Sequence, residues 1–159
     1  FLLNLSSDLS FNVTIGQQIC GLSMTAGDGR LVNISGQKGS GKTTLLRTLL
    51  GFLPVDGGHI SIDGELLTPR SAPYFRKRMA YVPQQLVVPD DYHEVPTDYL
   101  SLLKCAVESG KMLLLVDEPS EALSAAEKDE ADQLLREVVQ RGAIVLAVNA
   151  RNADNTVEL

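Results

Sequence analysis

The sequence predicts an α/β chain: a parallel core sheet flanked by helices, preceded by an antiparallel β subdomain. Three observations carry this. Two uniformly apolar runs, "MLLLV" at 112–116 and "AIVLAV" at 143–148, have the composition of strands buried on both faces. Each follows a segment of helical period, so right-handed crossovers and a parallel sheet are expected. The first third instead carries short alternating or apolar segments separated by glycines, which favour strands and hairpins.

In order along the chain, "LSFNV", "TAGDGRLVNIS" and "GGHISIDGELL" supply the early strands and hairpins. Between the second and third, a helix over 40–50 places Leu45, Leu46, Leu49 and Leu50 on one face, with Gly51 as its stop and Pro54 just beyond. A second helix is expected from about 97 to 109, with Leu100, Leu103 and Val107 in one stripe and Gly110 ending it. The strand at 112–116 follows. A third helix opens at "SAAE", where Ser124 caps and Glu127 reaches back, and runs to Arg141 before Gly142. The strand at 143–148 comes next. No internal repeat or low-complexity segment interrupts this order, and the one loop of unusual length is 85–96.

A chain of 159 residues suits a single domain over 1–159, able to bury roughly two thirds of its unfolded surface. With 14 Lys and Arg against 20 Asp and Glu, its net charge of -6 argues against a broad basic face, so nucleic acid is not expected as a partner. Cys20 and Cys105 have neither metal nor redox spacing and are expected as reduced, buried thiols of a cytosolic protein. The apolar runs are too short to span a bilayer, and "FLLNLSSDLS" lacks a basic leader, so no signal peptide is expected.

The chemistry concentrates in "GQKGSGKTT". Gly36, Gly41, Lys42 and Thr43 satisfy G-x-x-x-x-G-K-[ST], the Walker A pattern, between an expected strand and an expected helix. Glycines let successive backbone N–H groups turn inward toward phosphate oxygens, and the helix N-terminus adds the equivalent of about half a positive charge. Gln37, Lys38, Gly39 and Ser40 complete the loop, and Thr44 is a candidate outer phosphate contact. Lys42 suits the β- and γ-phosphates of a nucleotide, and Thr43 offers a hydroxyl to Mg²⁺. "MLLLVDEP" then sets Asp117 at the carboxyl end of a buried strand, where open α/β sheets bind ligands, as a second Mg²⁺ holder. Glu118 beside it is suited to orient an attacking water and take its proton.

Taken in order, these segments resemble the nucleotide-binding domain of ATP-binding cassette (ABC) proteins over almost the whole chain. "GQKGSGKTTLLRTLLGFLPVDGGHISIDG" is similar to that family's phosphate loop, helix and hairpin, "RKRMAYVPQQ" to its approach to the glutamine loop, and "LLLVDEPSEALS" to its Walker B strand and following turn. The resemblance implies a P-loop NTPase fold, ATP and Mg²⁺ as ligands, and ATP hydrolysis. It also implies a membrane permease as partner, a homo- or heterodimer, and a cytoplasmic location at the inner face of the membrane. It makes Gln84 the residue that senses Mg²⁺ and the attacking water.

The departures are equally specific. "HEVPT" at 93–97 stands where the family's serine-glycine-glycine signature should be, and 85–112 is short, so the helical subdomain is expected to be much reduced. Asn149 replaces the family's histidine; it can donate to a γ-phosphate but carries no proton at neutral pH. Ser124 replaces an aspartate. Val13 stands where an aromatic would stack on adenine, with Phe11 as a nearby substitute; losing a stacking ring costs about 1–3 kcal/mol.

Groups donated in trans are worth about 10³ to 10⁵ in rate, so ATP binding is a firmer expectation than turnover. The alternative is a nucleotide-sensing or scaffold module that binds ATP without significant hydrolysis. A small-molecule kinase is disfavoured by the lack of an arginine-rich lid. His59 and His93 have no second ligand at metal spacing, and Arg47, the run Arg76, Lys77 and Arg78, and the acids Asp90, Asp91 and Glu94 are expected as solvated charge.

Overall fold

The computed structural model describes residues 8–83, 98–118 and 123–159. The chain opens with β1 (Leu9–Ile15), β2 (Ile19–Ala26) and β3 (Leu31–Ser35), followed by α1 (Lys42–Leu49), β4 (Gly57–Ile62) and β5 (Glu65–Leu66). A short α2 (Ala72–Arg76) leads into β6 (Met79–Val82). Then come α3 (Tyr99–Glu108), β7 (Leu113–Val116), α4 (Ala125–Gln140), β8 (Ile144–Val148) and β9 (Asn155–Glu158).

The strands sort into two sheets. One has the order β2-β1-β4-β5 and is antiparallel; the other has the order β6-β7-β8-β3-β9, and its pairs are parallel. Both the antiparallel start and the parallel core agree with the sequence expectation. The small elements α2 and β9 were not expected, because five and four residues are too few to show a period.

Alternation along the parallel strands explains why β7 and β8 are apolar throughout. Leu113 and Leu115 of β7, with Ile144 and Leu146 of β8, pack toward α1 and the antiparallel sheet. Leu114, Val116, Val145 and Ala147 pack toward α3 and α4 on the opposite face. Each strand is therefore buried on both sides, as a sheet covered by two layers requires. Leu45, Leu46, Leu49 and Leu50 are buried together, and Gly51 turns left-handed with φ 82° after them. The Ser124–Glu127 capping box is present and starts α4 one residue after the cap.

Three expectations are corrected. Cys20 and Cys105 are exposed free thiols rather than buried ones. Phe11 is buried beside Leu9 and Val13 in the core, because period-two alternation puts all three on one face of β1; it is not presented to a base. The basic run is only partly solvated: Arg78 pairs with Asp63 and Arg76 lies 4.6 Å over the Phe52 ring. His59 is exposed on β4, as expected. Among the described residues, no helix is long and apolar enough to cross a membrane.

The Tyr99 hydroxyl, at the start of α3, donates to the Asp117 carbonyl at 2.9 Å and so ties the helix to the end of β7. Burial, and then the negative charge of Asp117, raises the phenol pKa above its ordinary 10.0. Unfolding frees the group to ionise from about pH 10, while the folded chain keeps it neutral. Its stabilising contribution is therefore complete below that pH and is lost as pH rises above it. Tyr99→Phe should cost about 1 kcal/mol at neutral pH by urea denaturation. It should also reduce the loss of stability that the wild type shows above about pH 10.

Candidate functional site

The carboxyl ends of β3, β7 and β8 lie side by side in the parallel sheet, and the glycine loop, Asp117–Glu118 and Asn149 follow them directly. Neighbouring parallel strands thus bring together groups that are remote in sequence. A cleft of about 610 Å³ forms there, lined by Gly36, Lys38, Gly39, Gly41, Lys42, Thr43, Thr44, Asp117, Glu118, Asn149 and also Gln18.

Two glycines show why the loop needs them. Gly41 caps α1 with φ 103°, a left-handed conformation that side chains resist. At Gly36 a Cβ would overlap Ser40 Oγ and lie 3.2 Å from the Leu159 carbonyl oxygen, so a side chain there would require Ser40 and the chain after β9 to shift. No side chain among the described residues caps α1. Its first-turn N–H groups therefore remain available to an anion, and the helix dipole favours one.

Lys42 Nζ donates to the Gly36 carbonyl at 2.5 Å and to the Gln37 carbonyl at 3.2 Å, which places the ammonium across the inside of the loop. Gln37 and Ser40 brace the loop rather than line the cleft: the Ser40 N–H donates to the Gln37 carbonyl at 3.0 Å. The Ser40 hydroxyl oxygen is buried without a hydrogen-bond partner among the described residues.

Thr43 and Asp117 meet directly. The Thr43 hydroxyl donates to Asp117 Oδ2 at 3.0 Å, and Asp117 is only 5% exposed. Its other oxygen accepts the Glu118 N–H at 2.8 Å, and the Tyr81 hydroxyl approaches Oδ2 at 3.5 Å. Burial, and then the Asp117 charge, raises the Tyr81 pKa, with nearby Arg47 opposing the shift. Tyr81 accordingly stays a neutral donor. A hydroxyl and a carboxylate converging beside a phosphate-sized cradle form an all-oxygen donor set that suits a hard cation. Among the described residues no group of three or more His, Cys, Asp or Glu is clustered to hold a metal alone. Mg²⁺ is commonly held by one or two protein oxygens together with substrate phosphates.

Glu118 is partly buried, and its Oε1 accepts from Asn149 Nδ2 at 2.8 Å. Gln84, expected to join Thr43 and Asp117, lies outside the described residues, as do the 85–96 loop and "HEVPT". Sequence reasoning missed Gln18, Tyr81 and Tyr99. Gln18 sits in the turn between β1 and β2 and donates to the Gly39 carbonyl at 3.1 Å, bridging the two sheets over the glycine loop. Nothing local in "GQQIC" signals that contact.

Comparison with known proteins agrees with this geometry. The family model described as ABC transporter matches residues 19–150. The cytochrome c biogenesis ATP-binding export protein CcmA of Bradyrhizobium diazoefficiens is 31% identical over 162 residues, covering 80% of this chain and 81% of that protein. The manganese transport system ATP-binding protein MntB of Bacillus subtilis is 38% identical over 77 residues, which are 48% of this chain and 29% of that protein. Among solved structures, an ATP binding subunit of an ABC transporter superposes with a TM-score of 0.77 at 18% identity, covering 95% of this chain and 85% of that one. A bacterial Atm1-family ABC exporter with ATP bound gives a TM-score of 0.79 at 19% identity, covering 99% of this chain and 38% of that one. The structural likenesses show the fold, and the family match over 19–150 shows the lineage: the chain belongs to the ABC transporter family, as one of its ATP-binding domains.

Proposed function

We propose that residues 1–159 act as one nucleotide-binding domain that takes Mg·ATP in the glycine-loop cleft and hydrolyses it to ADP and phosphate. The observation that carries this reading is the 3.0 Å meeting of Thr43 and Asp117 beside Lys42, with Glu118 next in sequence. Backbone N–H groups of the loop and of the first turn of α1 bind the phosphates, and Lys42 neutralises their outer oxygens. Thr43 Oγ1 and the Asp117 carboxylate would hold Mg²⁺, which when bound neutralises phosphate charge and polarises the phosphoryl oxygens.

Glu118 orients a water and takes its proton as the water oxygen bonds to the γ-phosphorus. The bond from that phosphorus to the β,γ-bridging oxygen breaks, and its electron pair leaves with ADP. Asn149 lines the same cleft, and the resemblance makes it a candidate donor to the terminal phosphate. Gln84 enters this scheme on the family resemblance alone, as a sensor of metal and water. By the same resemblance, and by analogy with the export and transport proteins it matches, the domain serves a membrane permease from the cytoplasmic side and pairs with a second nucleotide-binding domain.

A second reading has one observation in its favour. Asn149, where the family carries histidine, cannot exchange a proton near neutral pH, which suits a module that binds ATP and signals occupancy without rapid turnover. Phosphate release from Mg·ATP by wild type and Glu118→Gln, over a range of protein concentrations, separates the two. Turnover in the wild type, its loss in Glu118→Gln, and specific activity rising with concentration are expected of an ATPase that works as a dimer. ATP binding with no release from either would leave the module. For the phosphate site, Lys42→Ala should weaken Mg·ATP binding by about 10- to 100-fold, the worth of a charge-assisted contact. Unchanged affinity in a calorimetric titration would rule the site out.

A further inference from the structure

We propose that Tyr99 is a positioning residue for the reaction: its hydroxyl sets the plane of the peptide between Asp117 and Glu118, and so the direction in which the Glu118 side chain leaves the end of β7. The inference rests on the hydrolysis reading above. The Tyr99 hydroxyl donates to the Asp117 carbonyl at 2.9 Å. The N–H of the same peptide, belonging to Glu118, donates to Asp117 Oδ1 at 2.8 Å. A peptide group is planar, so a bond at its oxygen and a bond at its nitrogen together fix its rotation. One peptide earlier, the Asp117 N–H donates to the Val82 carbonyl at 2.8 Å, and the Asp117 carboxylate is held by Thr43. Asp117 is thus fixed from β6 and α1, whereas Glu118 lies past the strand and takes its direction from the peptide that Tyr99 holds.

The donor itself is anchored. Tyr99 is the first residue of α3, behind Asp98, whose carboxylate caps the helix by accepting the Ser101 N–H at 3.0 Å. Leu103, Ala106 and Val107 pack in one cluster with Leu114 and Val116 of β7, and Lys104 pairs with Glu130 of α4 at 3.0 Å. Control of direction matters because Glu118 borders two spaces. One is the nucleotide cleft; the other is a cavity of about 180 Å³ whose lining includes Tyr99, Val116, Glu118, Ala131 and Leu135. A glutamate has several staggered rotamers, and a turn of its peptide redirects all of them. Without the Tyr99 bond the carboxylate gains positions that face the second cavity, away from an attacking water. Asn149 meets the tip of this side chain, whereas Tyr99 acts at its root.

Steady-state kcat and KM for Mg·ATP, together with direct Mg·ATP affinity, are measured for wild type, Tyr99→Phe and Tyr99→4-aminophenylalanine, the last restoring a donor to the same ring. Ile60→Val, a core trim on β4 outside the cleft, is the control for lost stability, and urea unfolding checks that each variant is folded under assay. Tyr99→Phe should lower kcat by about 10- to 100-fold with affinity held within about two-fold, because the glycine loop, Thr43 and the Asp117 carboxylate keep their places. The amino group should recover most of the rate, and Ile60→Val should keep it. In a Glu118→Gln background, Tyr99→Phe should reduce the residual single-turnover rate no further, because its effect passes through Glu118. Unchanged kcat in Tyr99→Phe, a loss of affinity in place of kcat, no recovery with the amino group, an equal loss in Ile60→Val, or a further loss in the Glu118→Gln background would overturn the role while leaving hydrolysis intact. A wild type that binds Mg·ATP and releases no phosphate would overturn the hydrolysis reading and this role with it.

Discussion

The hydrogen bond between the Thr43 hydroxyl and Asp117 Oδ2 joins two segments 74 residues apart, and the site depends on it. It links the first turn of α1 to the carboxyl end of β7. Asp117 is buried, and a buried carboxylate is tolerated only where donors surround it. Thr43, the Glu118 N–H and Tyr81 supply those donors. The same carboxylate that is costly to bury is thereby held in a fixed position beside the phosphate loop, which a binding site for a charged ligand requires.

The layers of the fold serve this placement. Packing α1 and the antiparallel sheet on one face, and α3 and α4 on the other, buries β7 and β8 completely and fixes their ends. Parallel register then sets Val116 beside Ala147 and Ile34 beside Val148, so the residues just beyond the strands converge without any long side chain having to reach. Gln18 adds a brace from the other sheet. The nucleotide-binding chemistry is thus a consequence of strand order, with the glycine loop as its one specialised backbone.

How much of this was legible in the sequence follows from the range of each interaction. The glycine loop, the helix after it and the Ser124 cap are written in consecutive residues, and local physics determines them. Asp117 was legible because an uninterrupted apolar strand must deliver whatever follows it to the sheet edge. The α2 and β9 elements were not legible, being too short for a period and held by neighbours. Phe11 illustrates an available signal: Leu9, Phe11 and Val13 alternate strictly, and that pattern already assigns all three to the core. The contacts from Gln18, Tyr99 and Asn149 span 21, 18 and 31 residues, and no motif encodes distances of that kind.

The phosphate and metal elements follow the ABC pattern closely, whereas Asn149 and Ser124 depart from it. On the proposed function, the departures bear on turnover and coupling, while the Thr43–Asp117 pair bears on whether the metal nucleotide binds at all. Calorimetric titration of the wild-type chain with ATP, in Mg²⁺ and again in excess EDTA, tests that pair most directly. Saturable one-site binding in Mg²⁺ that weakens about ten-fold or more without it is the result this account predicts. Affinity indifferent to Mg²⁺, or no binding in its presence, would contradict the claim that this cleft is built for a metal nucleotide.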